Sequence, residues 1–167
     1  GRDPMETTEA LATTSLDSGP ESPRLPVAFF NGGPGGDTHN SYSILHGIIE
    51  KNFPFSFVYI DQRGTGCSDP YPVQSGEVVT SSLVARLTKW GSRSIVLDAE
   101  AIRKHVYGAE ARWRVLGQSY GAFIAHRYVA IAPAHLDGAF AHGFSLMSDP
   151  LHMWRLRVES QKRVAEE

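Results

Sequence analysis

The stretch VLGQSYGAF, residues 115–123, sets a serine between glycines inside an otherwise apolar run. Gly117-Gln118-Ser119-Tyr120-Gly121 matches G-x-S-x-G, a pattern too short to carry weight alone. Its surroundings sharpen it. RWRVLGQ (112–118) reads as a strand, and YGAFIAHRYVAIA (120–132) reads as a helix stopped by Pro133. The serine therefore falls where a buried strand turns into a helix, the setting of a nucleophile elbow. A turn that tight leaves no room for side chains on its flanks, which is what the two glycines answer. The hydroxyl then projects from the turn, and the helix N-terminus beside it favours developing negative charge. The plain alternative is a strand–helix loop with an incidental serine.

Outward from the elbow, strands and helices alternate. PVAFF (26–30) is an apolar strand running into the glycine cluster NGGPGG (31–36), and FSFVYID (55–61) is a second strand ending at Asp61. LDGAFAHGF (136–144) is a fourth. Helices are expected over SYSILHGIIEKN (41–52), weakened by Gly47, and over SRSIVLDAEAIRKHVYG (92–108). In the latter, Ile95, Ala99, Ile102 and Val106 share a face and Gly108 is the stop. QRGTGCSDPYPVQSG (62–76) is a long loop, and DPLHMWRLRVESQKRVAEE (149–167) is a polar tail helix with Asp149-Pro150 as its cap. Strands that read as unbroken apolar runs between helices predict an α/β fold, a mostly parallel sheet with helices on both faces. Ligands in such sheets lie at the carboxyl ends of the strands. The glycine-bearing loops after Phe30, Ile60 and Leu116 all fall at that end.

NGGPGG adds an independent signal. Acyl transfer passes through a tetrahedral oxyanion that needs backbone N–H donors aimed in advance. A glycine-rich turn can present one donor and the residue after the nucleophile the other, here Gly33 and Tyr120. A phosphate-binding loop is the competing reading, but the lysine-bearing P-loop pattern is missing.

The third piece is DQRGTGCSDP, Asp61 to Pro70. NGGPGG, DQRGTGCSDP and GQSYG, in this order and spacing, resemble the prolyl aminopeptidase (proline iminopeptidase) family of α/β-hydrolases. SIVLDAEAIRKHVYG resembles that family's helix before the elbow strand. The likeness covers roughly residues 26–147. It implies an α/β-hydrolase core, a helical cap, and release of an N-terminal residue, typically proline, from peptides. By motif match it makes Ser119 the nucleophile and Gly33 and Tyr120 the oxyanion donors. Asn31, Gly32, Pro34, Gly35, Asp61, Arg63, Gly64, Gly117 and Gly121 would shape the surrounding loops. Asn31 departs from the family, many members of which carry His there, and reads as a subfamily difference.

A serine hydroxyl needs a base, and the base an orienting acid, which in this fold follow in later strand-end loops. His126 is carried away by the elbow helix, and His135 and Asp137 precede the fourth strand, at the wrong end of the sheet. His142, near that strand's carboxyl end, is the local candidate, but no acid is placed to orient it. His152 and Asp149 lie in the tail, which resembles the entry into the family's cap. The resemblance thus describes an N-terminal half, with the catalytic acid and base and the cap carboxylates for the substrate's α-amino group lying outside the chain. The expected organisation is a leader (1–25), the N-terminal part of the core (26–147) and the start of the cap (148–167). The leader, rich in Thr, Ser, Glu and Pro, is expected to be mostly disordered, with GRDP ahead of Met5 read as a cloning remnant.

Composition sets outer bounds. The chain has 167 residues with a net charge of -2, so no basic excess points to nucleic acid or an anionic membrane. No apolar run approaches the roughly 20 residues that span a bilayer, and no secretory signal is read at the N-terminus. The single cysteine, Cys67, excludes an intrachain disulfide and is compatible with a reducing compartment, giving a cytoplasmic expectation. The histidines are scattered, so neither a metal nor another cofactor is expected. The expected partner is a peptide with a free N-terminal proline. Self-association is a further expectation, because the fourth strand would leave an open apolar edge.

Overall fold

The computed structural model describes residues 12–14, 24–38, 45–71, 73 and 76–143. Its centre is a five-stranded sheet of order β1-β3-β2-β4-β5. Strands β2 (Leu25–Phe30), β3 (Phe55–Ile60), β4 (Trp113–Gln118) and β5 (Leu136–His142) run parallel, as their unbroken apolar character predicts. The central strand β2 pairs with β3 on one side and β4 on the other, so the loops leaving all three emerge together.

Alternation across the pleat divides the core in two. Ala28, Phe30, Val58, Ile60 and Val115 face α2 (Ser92–Tyr107) and α3 (Tyr120–Ile131), where Ile95, Val96, Ala99, Ile124, Ala125 and Tyr128 close the layer. Val27, Phe29, Phe57 and Tyr59 face the other way, against Ile49 of the π-helical turn Leu45–Glu50. Helical segments thus cover both faces of the sheet.

Two elements lie beyond the expected ones, and one expected helix face needs correction. Within the leader, β1 (Ala12–Thr14) pairs antiparallel with β3, with Thr13 opposite Tyr59. Strand pairing satisfies backbone groups and does not require large apolar side chains, which is why composition misses it. Helix α1 (Ser81–Thr88) was not anticipated, although its start is legible: the Thr80 hydroxyl accepts the Leu83 N–H at 3.2 Å, and Leu83 is buried. On α2 the buried positions are Ile95, Val96, Ala99 and Arg103, while Val106 is exposed and Ile102 half-buried. Arg103 displaces the expected apolar continuation because its guanidinium has work at the helix end. Nη1 donates to the carbonyls of Gly108, Ala109 and Ala111 at 3.2, 3.0 and 2.6 Å. The helix stops at Gly108, φ 99°, as expected. The tail 148–167, with its expected helix, Asp149 and His152, lies outside the described residues, as does Phe144.

Candidate active site

Ser119 occupies the single residue between β4 and α3. Its backbone sits at φ 55°, ψ −116°, and among the described residues it is the one non-glycine with positive φ. That conformation costs on the order of 1–3 kcal/mol and persists only where the surroundings enforce it. The flanking glycines show how. A Cβ on Gly117 would lie 2.0 Å from the Gly121 carbonyl oxygen, and one on Gly121 would lie 1.9 Å from the Phe30 carbonyl oxygen. Strand β4, helix α3 and the end of β2 therefore touch backbone to backbone. The Ser119 N–H donates to the His142 carbonyl at 2.8 Å, pinning the turn to the end of β5, and the Ser119 carbonyl accepts the Ala122 N–H at 3.0 Å.

The loop Asn31–Thr38 lies directly beside the serine. A Cβ on Gly32 would come within 3.0 Å of the Ser119 Cβ, so only a bare Cα fits there without displacing a neighbour. The Gly32 N–H is taken by Asn31 Oδ1 at 2.8 Å, the Gly32 carbonyl accepts Gly36 N–H at 3.3 Å, and Asn31 Nδ2 donates to the Asp37 carbonyl. Gly33 follows at φ 122° on the exposed side of the loop. Among the described residues, the N–H groups of Gly33 and Tyr120 meet no acceptor. In a helix as short of capping as this one, the Tyr120 N–H is one of the first-turn donors left over by helix geometry.

The loop after β3 forms the third wall. Asp61 Oδ1 accepts both the Thr38 N–H (2.9 Å) and the Thr38 hydroxyl (2.8 Å), while Oδ2 accepts the Cys67 N–H at 3.0 Å. Gln62 Nε2 donates to the Asn31 carbonyl at 3.0 Å. Arg63 points the other way: its guanidinium makes two bonds to Asp98 on α2 (2.8 and 2.6 Å), one to the Lys89 carbonyl (2.6 Å), and lies over the Trp90 ring. Burial pushes the Asp98 carboxyl above its usual range, and the Arg63 partner offsets part of that. Gly64, φ 82°, packs under Tyr71 and Trp90, whose rings meet edge to face. Burial also raises the Tyr120 phenol, with Tyr71 adding to the shift. Cys67 is exposed with a free thiol.

The structure thus brings Ser119, Gly32, Gly33, Tyr120, Gly117 and Gly121 together, with Asp61 behind the glycine loop. Thr38, Gln62, Asp98 and Trp90 were not singled out from sequence; Gln62 was visible within DQRG, the others only through contacts distant in the chain. The histidines fall as follows. His126 is exposed on α3; His135 contacts Glu100 at 2.5 Å, and Asp137 pairs with Arg112, both at the amino ends of the strands. His142 ends β5 opposite Gln118, exposed, its backbone joined to Ser119. Among the described residues no helix is long and apolar enough to cross a membrane.

Comparisons with known proteins agree with this geometry. The alpha/beta hydrolase fold family matches residues 26–164. A proline iminopeptidase of Aspergillus aculeatus is 33% identical over 153 residues, covering 84% of this chain and 33% of its own length. The chain spans about a third of the length of the curated relatives it matches. Among solved structures, the proline iminopeptidase of Mycobacterium smegmatis superposes with a TM-score of 0.58 at 22% identity, over 81% of this chain and 40% of that one. A marine microorganism esterase gives the same TM-score at 18% identity, over 93% of this chain and 51% of that one. These likenesses describe the fold. Parallel strands, the serine at a strained strand–helix turn and a match running from the first central strand into the tail together mean that this chain belongs to the alpha/beta hydrolase fold family.

Proposed function

We propose that the protein is a serine hydrolase of the prolyl aminopeptidase type, releasing N-terminal proline from peptides. The observation that carries the proposal is Ser119 at φ 55° with Gly32 packed against it and two uncommitted N–H donors, Gly33 and Tyr120, on adjoining segments. In this reading Ser119 Oγ attacks the scissile carbonyl as its proton passes to a general base. The oxyanion is held by the Gly33 and Tyr120 N–H groups, and the amine leaves with the returned proton. Water then cleaves the acyl-enzyme by the same steps. The base and its orienting acid come from outside this chain, with His142 the local alternative. Asn31, Pro34, Gly35, Arg63 and Gly64 hold the loops. The peptide reading is supported by the resemblance to proline iminopeptidases. A cytoplasmic setting and self-association through the β5 edge belong to the same proposal. The edge carries Phe140, 59% exposed.

The test compares proline arylamide, N-acetylproline arylamide and a short-chain p-nitrophenyl ester on the full-length protein and its Ser119→Ala variant. The expected result is turnover of the unblocked amide, abolished in the variant, with the acylated amide ignored. Equal rates on the two amides, or activity confined to the ester, assign an esterase. No Ser119-dependent turnover at all assigns a non-catalytic binding domain.

A further inference from the structure

We infer that Asp61 and Gln62 are positioning residues, a two-point clamp that fixes the Asn31–Thr38 loop and thereby the Gly33 N–H against Ser119. The catalytic consequence rests on the hydrolase reading above; the clamp itself rests on contacts. Two consecutive residues leaving β3 grip the two ends of the neighbouring loop. Gln62, 5% exposed, donates to the Asn31 carbonyl at the start of the loop. Asp61 accepts both donors of Thr38 at its end, and Thr38 is 7% exposed. The arrangement follows from topology, because β2 and β3 are parallel neighbours and their carboxyl ends stand side by side.

The clamp is rigid on its own side. A Cβ on Gly66, φ 52°, would lie 2.0 Å from Asp61 Oδ2, and that oxygen also holds the Cys67 N–H. The Ser68 hydroxyl donates to the Asp61 carbonyl at 2.5 Å, so backbone and carboxylate are held together. The gripped loop, by contrast, contains Gly32, Gly33, Gly35 and Gly36, residues with the most backbone freedom to lose. Its two internal bonds to Gly32 leave the Gly33 donor on the outer side, without a bond of its own. An oxyanion donor acts only when aimed in advance; the Asn31 Nδ2 bond to the Asp37 carbonyl closes the loop on itself, and the pair of grips outside it fixes the closed loop, and so Gly33, against the sheet.

The test uses full-length protein labelled with 15N-glycine, as wild type, Thr38→Val, Gln62→Leu and the double variant. Thr38→Val keeps the side chain's shape and the backbone bond while removing the hydroxyl donor. The clamp requires that the Gly33 amide resonance shift and the Gly32 Hα–Ser119 Hβ contact weaken in each single variant and weaken further in the double, with the Gly117 and Gly121 resonances unmoved. Thr38→Ser should return the Gly33 resonance to its wild-type place. On proline arylamide the double variant should lose about a hundredfold in kcat with KM little changed, the effect of a displaced transition-state donor. A folded single or double variant whose Gly33 resonance and Gly32–Ser119 contact match wild type overturns the clamp. If wild type shows no Ser119-dependent hydrolysis, the hydrolase reading fails and the resonances alone decide the clamp.

Discussion

The elbow and the amino ends of the strands are held by opposite means. Around Ser119, segments meet through bare backbone, with Gly117, Gly121 and Gly32 supplying closeness by having no side chain. At the amino ends, a side-chain network does the joining. Glu100 accepts Arg103 through both oxygens, the Tyr128 hydroxyl and His135, and Tyr128 in turn accepts the Trp113 indole N–H at 3.0 Å. Trp113 and Arg103 are buried at 0% and 2% exposure. The comparison teaches that the amino end can lose a group and keep its shape at a cost in stability. The elbow cannot gain even a methyl at Gly117 or Gly121.

The largest effect expected from this contrast is at Arg103. Replacing it by Ala strips Glu100 of its cation and three carbonyls of their donor, and should cost about 3–5 kcal/mol. Urea unfolding of the chain measures it. A loss under about 1 kcal/mol would show that the network is ornamental. Next comes Gly121→Ala, which drives a methyl into the Phe30 carbonyl and should cost about 3 kcal/mol by forcing β2 and α3 apart. A stability close to wild type would mean that the backbone contact is looser than described.

Acid separates the two ends more finely. The Glu100 carboxyl is partly buried, which alone would raise it, but its bonds to Arg103, Tyr128 and His135 win and hold it below its usual 4.5. A depressed carboxylate contributes stability that is present above the unfolded value and lost as pH falls through the folded one. Unfolding midpoints should therefore drop as pH falls below 4.5, and Glu100→Gln should flatten that fall while lowering stability at neutral pH. An unchanged slope in Glu100→Gln would assign acid sensitivity elsewhere. The smallest effect is at the elbow itself. Ser119→Gly relieves a positive-φ strain and should stabilise by about 0.5–1 kcal/mol, since glycine's own entropy offsets part of the gain. Destabilisation there would remove strain from the account of the turn.

Much of the fold was legible because it depends on near neighbours in sequence. Strands β2 to β5, helices α2 and α3, the stop at Gly108 and the serine between β4 and α3 all follow from period, glycine and proline. The misses have a common cause. β1 is made by the edge of β3, far along the chain, and the burial of Arg103 depends on three carbonyls beyond its helix. At the candidate site, the glycines announced the elbow, while Thr38 gave no signal because its partner Asp61 is distant in the chain.

By itself, then, the sequence determined the order of elements and the point at which no side chain could stand. A forbidden φ or a continuous apolar run is a property of a few consecutive residues. Only the tertiary structure decided that Asp61 and Gln62 reach Thr38 and Asn31, and that Gly121 meets Phe30. Those contacts exist because β2 lies between β3 and β4. Strand order is set by burying both faces of the whole sheet at once, a condition that no local stretch contains.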